Sequence, residues 1–233
     1  MTIFQNWIGL FKASMGGVLA ALALCPLAIL ITNRVGLLDI PGSAPHKKHL
    51  RPMPLSGGIA LMLGIIVLIF IFQLFDLDFS IFNKDISTLL AAAGIIFSFG
   101  LWNDAKRIKF PIKLTGKILA SILLIAMYVQ GHFLAGLDFL KELHVSANMI
   151  ETLDWAVTIL WFVGITNAYN FSDSMDGLVL GIAGIAFAFF MIVALLANQN
   201  ALAIFSAGLM GICIGLYAFN VSPARLFLGD SGA

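Results

Sequence analysis

Long apolar stretches separated by short polar segments make up most of the sequence. A helix needs about 20 apolar residues to cross a bilayer, and several stretches approach or reach that length. We predict about seven transmembrane helices, at residues 15–32, 57–75, 87–102, 112–131, 153–168, 177–197 and 201–219. The first twelve residues are mildly amphipathic and are left outside the first helix. The predicted fold class is an all-α polytopic membrane protein, formed by one integral membrane domain over residues 1–233.

The composition supports this fold class. The 233 residues are 61% hydrophobic and only 11% charged, against about 45–50% and about 25% in soluble domains. This balance excludes an ordinary soluble domain and also a disordered chain, which needs low hydrophobicity and high charge. Cys25 and Cys213 lie inside apolar stretches, so neither a structural disulfide nor a thiolate metal site is expected.

The charges are distributed unevenly between the two predicted membrane faces. Of the 13 basic residues, ten fall on one face, and only Lys12, Lys84 and Lys141 fall on the other. Positively charged loops face the cytoplasm, so this pattern predicts a cytoplasmic location for the ten and an external N-terminus. The ten are Arg34, Lys47, Lys48, Arg51, Lys106, Arg107, Lys109, Lys113, Lys117 and Arg225.

The first cytoplasmic segment is rich in basic residues and proline. Lys47, Lys48 and Arg51 could hold a phosphate, and Gly57-Gly58 at a helix start could bring backbone N–H groups up to an anion. A positive-inside anchor with turn prolines explains the same residues equally well. In the next segment, Asp104 comes directly after an apolar helix and is followed by lysines, which could also be interfacial charges.

Two further segments carry polar residues at regular or unusual positions. Asn167, Asn170, Asp173 and Asp176 recur every three residues, a spacing that places them near one face of a helix. Helix capping explains one of these aspartates but not all four residues, so a metal or a polyol-bearing ligand is favoured. Asp230 lies in Gly-Asp-Ser-Gly, a turn in which a carboxylate can approach a cation, although an ordinary tail is the alternative.

The polar residues of the cytoplasmic face share one chemistry. Carboxylate and amide oxygens suit Mg²⁺, which binds one or two carboxylates together with substrate phosphates. Lysine and arginine beside them suit a phosphorylated substrate and a lipid phosphate. The predicted helices 2, 3, 5, 6 and 7 have no charge in mid-span, which disfavours an ion pump or proton-coupled transporter.

Taken in order, these segments resemble the motifs of the polyprenyl-phosphate N-acetylhexosamine-1-phosphate transferase superfamily, glycosyltransferase family 4. The first loop has Asp-x-Pro at 39–41 and His-x-x-Pro-x-Pro-x-x-Gly-Gly at 49–58. Residues 167–177 are similar to the family's Asn-Ala-x-Asn-x-x-Asp-Gly-x-Asp-Gly, and Asn220 precedes Phe-x-Gly-Asp-x-Gly at 227–232. The first loop resembles the undecaprenyl-phosphate N-acetylglucosaminyl-1-phosphate transferase branch more than the muramoyl-pentapeptide branch.

The resemblance implies a reaction and its partners. N-acetylhexosamine-1-phosphate is transferred from a UDP-N-acetylhexosamine to polyprenyl (undecaprenyl) phosphate, with release of UMP, as the first step of a cell-surface glycan pathway. The implied cofactor is Mg²⁺, with Mn²⁺ as the alternative, and no nucleic acid partner is expected. The implied location is the bacterial inner membrane, with the active face cytoplasmic; a homodimer is left open.

The resemblance also implies roles for individual residues. It makes Asp104 and Asn103 the catalytic residues and Asp230 and Asp104 the metal ligands. It implies substrate binding by Lys47, His49, Lys113, Asn167, Asn170, Asp173, Asp176, Asn220 and Phe227.

Three departures from the family pattern affect these expectations. Asn103-Asp104 stands where the family has two aspartates, and Ser174 replaces a usual glycine. The family continues through further helices after Gly-Asp-x-Gly, so residues 1–233 are expected to lack them and Asp230 is expected on a frayed tail. The alternative function is therefore an inactive or truncated homologue that binds a lipid phosphate or a partner.

Overall fold

The computed structural model describes residues 3–41, 51–74, 84–127 and 146–233. In these residues it has seven α-helices and one antiparallel sheet of two short strands, β1 (Leu38–Asp39) and β2 (Met53–Pro54), between the first two helices. The helices are α1 (Ile3–Val35), α2 (Gly57–Leu74), α3 (Lys84–Lys106), α4 (Phe110–Ala126), α5 (Ala147–Ser172), α6 (Leu178–Leu196) and α7 (Asn200–Asn220).

The all-α polytopic fold class is confirmed. Each predicted apolar stretch corresponds to one helix, and six of the described helices are long and apolar enough to cross a membrane. The remaining helix, α4, has 17 residues in the described range, which is at the short end of the length that spans a bilayer.

Several helices extend beyond the predicted ends. α1 begins at Ile3, α3 continues to Lys106, and α5 continues to Ser172. Polar residues do not end a helix by themselves, because they leave the backbone hydrogen bonds intact. The added segments contain no proline, and Gly9 in α1 lowers helix propensity without breaking the helix. Because α5 begins at Ala147, Asp154, which the prediction placed at the start of the fifth helix, lies about two turns inside it and is buried.

The chain divides into two compact units, so the expectation of one domain over 1–233 stays a prediction. Unit 1 comprises Met1–Ile81 and Ser172–Ala233, and unit 2 comprises Phe82–Phe171.

Helix α7 is the central element of unit 1 and packs against α1, α2 and α6. Small residues allow close approach of α1 and α7: a Cβ atom added to Gly215 would lie 2.6 Å from Ala21 Cβ. Phe72 of α2 and Phe205 of α7 meet edge to face with ring centroids 6.2 Å apart.

Among the described residues, unit 2 consists of α3, α4 and most of α5. Its buried core contains Ala92 of α3 with Ala120 and Leu124 of α4, and Phe162 of α5 packs against them. Three residues connect α3 to α4. Phe162 places α5 against the core that α3 and α4 form together. The unit is therefore a small helical bundle with an apolar interior.

Candidate active site

In unit 1, the glycine-rich segment near residue 230 binds to the start of α2 through its backbone. Gly57 N donates to Phe227 O at 3.0 Å, and Gly58 N donates to Leu228 O at 3.1 Å. Phe227 N in turn donates to Pro54 O at 3.0 Å. The two motif segments, far apart in sequence, thus form one continuous backbone network.

This network corrects the proposed anion site at Gly57-Gly58. Both N–H groups already donate to carbonyl oxygens, so neither is available to a phosphate. The glycines are needed instead for close packing, because a Cβ on Gly57 would lie 2.7 Å from Leu228 Cα and one on Gly58 would lie 2.7 Å from Gly232 N. Real Cβ atoms essentially never approach neighbours that closely.

The expectation of a frayed tail around Asp230 is also wrong. Leu226 and Leu228 are fully buried, and Leu55 forms a parallel bridge with Phe227. Gly232 N and Ala233 N both donate to Gly229 O, at 3.1 and 3.2 Å. Burial of the two leucines and these hydrogen bonds fix the turn.

The amide of Asn220 connects two motif segments. Asn220 Oδ1 accepts a hydrogen bond from Gly177 N at 3.0 Å, and Asn220 Nδ2 donates to Leu226 O at 3.1 Å. The side chain is 2% exposed. Asn220 therefore holds the turn that precedes α6 against the segment that leads to Asp230.

Gly177 has the conformation that this contact requires. Its φ is +79°, which glycine adopts without the steric cost that a side chain would carry. A Cβ there would also lie 2.9 Å from Tyr217 Cε2. Tyr217 and Asn220 lie three residues apart on α7, so one face of that helix supports the turn.

The four polar residues that recur every three positions were predicted to share one face of a helix, and this prediction is correct for only two of them. Asn167 and Asn170 lie on α5, but that helix ends at Ser172. Asp173 and Asp176 lie in the following turn, where Asp173 is half-buried and Asp176 is exposed. In the same unit as these aspartates, Asp39 is buried in β1, where it pairs in register with Met53.

In unit 2, the site residues lie at one end of the helical bundle. Asn103 and Asp104 are in the last turn of α3 rather than in a loop, and both are half-buried. The short connection to α4 brings Lys113, in the first turns of α4, to the same end. The sequence analysis placed these residues on the cytoplasmic face, which stays a prediction.

One hydrogen bond fixes the position of Asn167 in unit 2. Lys117 Nζ donates to Asn167 Oδ1 at 2.6 Å. Phe162 packs against the core cluster of Ala92, Ala120 and Leu124, and Asn167 meets Lys117, nearer the start of α4, so α5 leads from the core toward the start of α4 and runs antiparallel to it. This direction places Asn170 toward the end of the unit that carries Asp104.

Two predicted substrate-binding residues, Lys47 and His49, lie outside the described residues. Phe227 is half-buried in unit 1 and uses its backbone N–H and C=O groups in the network with Pro54 and Gly57. Sequence reasoning missed Lys117 as a partner of Asn167, because it counted this lysine only as a basic residue. A lysine among the apolar residues of α4 was the signal that could have indicated it.

The donor groups fit Mg²⁺ at the level of their chemistry. Among the described residues, no three His, Cys, Asp or Glu side chains form a metal-binding cluster. Mg²⁺ does not require one, since it keeps several waters and uses one or two carboxylates with substrate phosphates. Asp230, half-buried on its ordered turn, is a hard oxygen donor of that kind.

The sequence profile of glycosyl transferase family 4 matches residues 86–233. The chain belongs to glycosyl transferase family 4. The matched region includes all of α3 to α7 except the first two residues of α3, together with the segments that carry Asn103, Asp104, Asn220 and Asp230.

Two bacterial proteins are among those similar to the chain. The "Probable undecaprenyl-phosphate N-acetylglucosaminyl 1-phosphate transferase" of Bacillus subtilis is 24% identical over 229 residues, which are 98% of this chain and 60% of that protein. The phospho-N-acetylmuramoyl-pentapeptide-transferase of Halalkalibacterium halodurans is 32% identical over 202 residues, which are 82% of this chain and 60% of that protein. The chain thus spans 60% of the length of each relative.

A second phospho-N-acetylmuramoyl-pentapeptide-transferase, from Listeria monocytogenes, is 38% identical over 125 residues, or 52% of this chain. The chain is therefore similar both to a protein named as an N-acetylglucosaminyl 1-phosphate transferase and to proteins named as phospho-N-acetylmuramoyl-pentapeptide-transferases.

Proposed function

We propose that the protein transfers N-acetylhexosamine-1-phosphate from a UDP-N-acetylhexosamine to undecaprenyl phosphate or a similar polyprenyl phosphate. A phosphate oxygen of the lipid forms a bond to the β-phosphorus, and the bond from that phosphorus to the bridging oxygen breaks. UMP leaves and the polyprenyl diphosphate sugar remains. The observation that carries the proposal is family membership together with the ordered carboxylates of both units, Asp230 in unit 1 and Asp104 in unit 2.

The proposed reaction needs positioning and charge neutralisation more than covalent help. Asp104 positions or deprotonates the lipid phosphate. A phosphate monoester has a second pKa of about 6, so the lipid is mostly dianionic at neutral pH and a strong base is unnecessary. This explains how Asn103 can stand in place of a second carboxylate.

Other residues of the chain hold the nucleotide sugar in this proposal. Lys113 binds phosphate, while Asn167, Asn170, Asp173 and Asp176 bind the nucleotide and sugar. Asp230, with Asp104 as a second candidate ligand, would hold Mg²⁺, which when bound neutralises charge on the diphosphate. The proposed location is the bacterial inner membrane, with these residues on the cytoplasmic side and the N-terminus outside.

The direct test is UMP release by the purified protein from UDP-N-acetylglucosamine and undecaprenyl phosphate, with and without Mg²⁺. We expect turnover that requires both substrates and the metal and that is lost in Asp230→Ala. Absence of UMP release under all conditions would refute the transferase function. Turnover that Asp230→Ala leaves unchanged would refute the metal assignment.

Asn103 favours a second candidate, a membrane protein that binds the lipid phosphate without transferring sugar. Only one carboxylate remains in the last turn of α3, at Asp104. This candidate predicts saturable binding of undecaprenyl phosphate with no UMP release, whereas the transferase predicts both.

A further inference from the structure

Lys117 is a charged residue that the proposed reaction does not use. It lies inside α4, half-buried, with Gly116 before it packed against Phe99 and with Ala120 after it in the core of unit 2. Ionisable residues in apolar helices are costly and are usually retained for function. The ammonium donates to Asn167 Oδ1 at 2.6 Å.

This hydrogen bond determines which way the Asn167 amide points. A lysine ammonium has three donors and no acceptor, so the amide atom that faces it must be the oxygen. The Asn167 side chain has no other hydrogen bond among the described residues. Its Nδ2 group therefore has two N–H donors available, and a charged partner on Oδ1 polarises the amide and strengthens them.

The surroundings of the pair indicate where these donors act. Lys113 lies one turn before Lys117 on the same face of α4, and Asn170 lies one turn after Asn167 on α5. In the other direction along α4 the side chains are apolar apart from Ser121, whose hydroxyl donates to Lys117 O at 2.9 Å, and Ala120 and Leu124 lie in the core. The amide thus lies at the boundary between the apolar core and the polar end of unit 2.

We propose that Lys117 is a positioning residue, which holds Asn167 so that its Nδ2 donates to an acceptor oxygen of the UDP-N-acetylhexosamine. Lys117 acts through Asn167 and does not touch the substrate. The inference rests on the proposed transferase function, because that function supplies the ligand.

The test compares Lys117→Gln with Lys117→Met, two side chains of similar length that differ in having a donor. Lys106→Met is the matched control, because Lys106 is an exposed lysine at the end of α3. KM for UDP-N-acetylglucosamine and kcat are measured by UMP release, and Kd for the same nucleotide sugar is measured by calorimetry.

We expect Lys117→Met to raise KM and Kd about tenfold, with a smaller effect on kcat. The loss of a hydrogen bond to a charged group changes a binding constant by about that factor. Lys117→Gln should keep both constants within about threefold, because the glutamine amide still donates to Asn167 Oδ1. Equal effects of Gln and Met would overturn the positioning role.

Asn167→Asp provides the second test. Its carboxylate still accepts from Lys117, so thermal stability should be kept, but it offers no donor to the substrate and KM and Kd should rise at least tenfold. Wild-type constants in this variant would overturn the inference. If the wild type binds the nucleotide sugar but releases no UMP, the transferase proposal is refuted, and the comparison of Kd values still decides the positioning role of Lys117. If the wild type does not bind the nucleotide sugar at all, the transferase proposal and the positioning role are both refuted.

Discussion

Asn220 Oδ1 accepts a hydrogen bond from the backbone N–H of Gly177 at 3.0 Å, and the same amide donates from Nδ2 to Leu226 O. Only a side chain with both an acceptor and a donor can make these two contacts. The contacts keep the turn with Asp176 and the segment leading to Asp230 in fixed register within unit 1. Asn220 thus supports the site from a buried position.

Replacing Asn220 by alanine should lower both stability and turnover. The change leaves Gly177 N and Leu226 O without their partners, and an unsatisfied buried group costs about 1–3 kcal/mol. Thermal unfolding in detergent and UMP release check this expectation. Asn33→Ala is the matched control, because Asn33 is exposed on α1; equal behaviour of the two variants would contradict the structural role.

Gly58→Ala should displace the segment that carries Asp230. The added methyl would meet Ser231 Oγ and lie 2.7 Å from Gly232 N, so the turn must move. We expect at least tenfold lower turnover and a higher Mg²⁺ requirement, measured by titrating Mg²⁺ in the UMP assay. Gly164→Ala is the control, because a Cβ at Gly164 of α5 meets no atom within 4 Å. Wild-type Mg²⁺ dependence in Gly58→Ala would show that this packing does not position Asp230.

Asp104→Asn should reduce UMP release by about 100-fold or more, because losing a group that positions the lipid phosphate misplaces the reacting atoms, and a small misplacement can cost about 100-fold. Its neighbour Asn103 is uncharged and cannot substitute for it. The reverse substitution Asn103→Asp restores the family's pair of aspartates, and we expect activity to be kept or increased. Full activity in Asp104→Asn would mean that this carboxylate is only an interfacial charge at the end of α3.

The distribution of basic residues predicts that the end of α7 with Asn220 is cytoplasmic. Ser222 and Gln199 lie at opposite ends of α7 and suit a labelling test of this orientation. Both are exposed, and the native cysteines are buried. On intact cells, an impermeant thiol reagent should label Gln199→Cys and not Ser222→Cys; the opposite pattern would reverse the proposed orientation.

The helices could be predicted from the sequence because apolar length is a direct signal of a membrane span. Their ends could not, since Asn103 and Asp104 continue the hydrogen bonding of α3 despite their polarity. The partners of Gly57 and Asn220 were also beyond prediction. Each contacts backbone groups, which every residue carries and which leave no pattern in the side chains. Asn167 and Asn170 follow the helical spacing, but nothing in that spacing marks the end of α5 before Asp173.

The pairing of Gly57 and Gly58 with Phe227 and Leu228 also constrains the order in which unit 1 is completed during synthesis. Helix α2 leaves the ribosome long before the residues that accept hydrogen bonds from its first two amides. Those amides must remain hydrated, or satisfied by transient partners, until α6 and α7 have been made and the chain through Leu228 has emerged. The contacts between the start of α2 and the segment with Phe227 and Leu228 are therefore among the last of unit 1 to form. A ribosome stalled before Phe227 holds a nascent chain in which α2 still lacks these native contacts at its N-terminus.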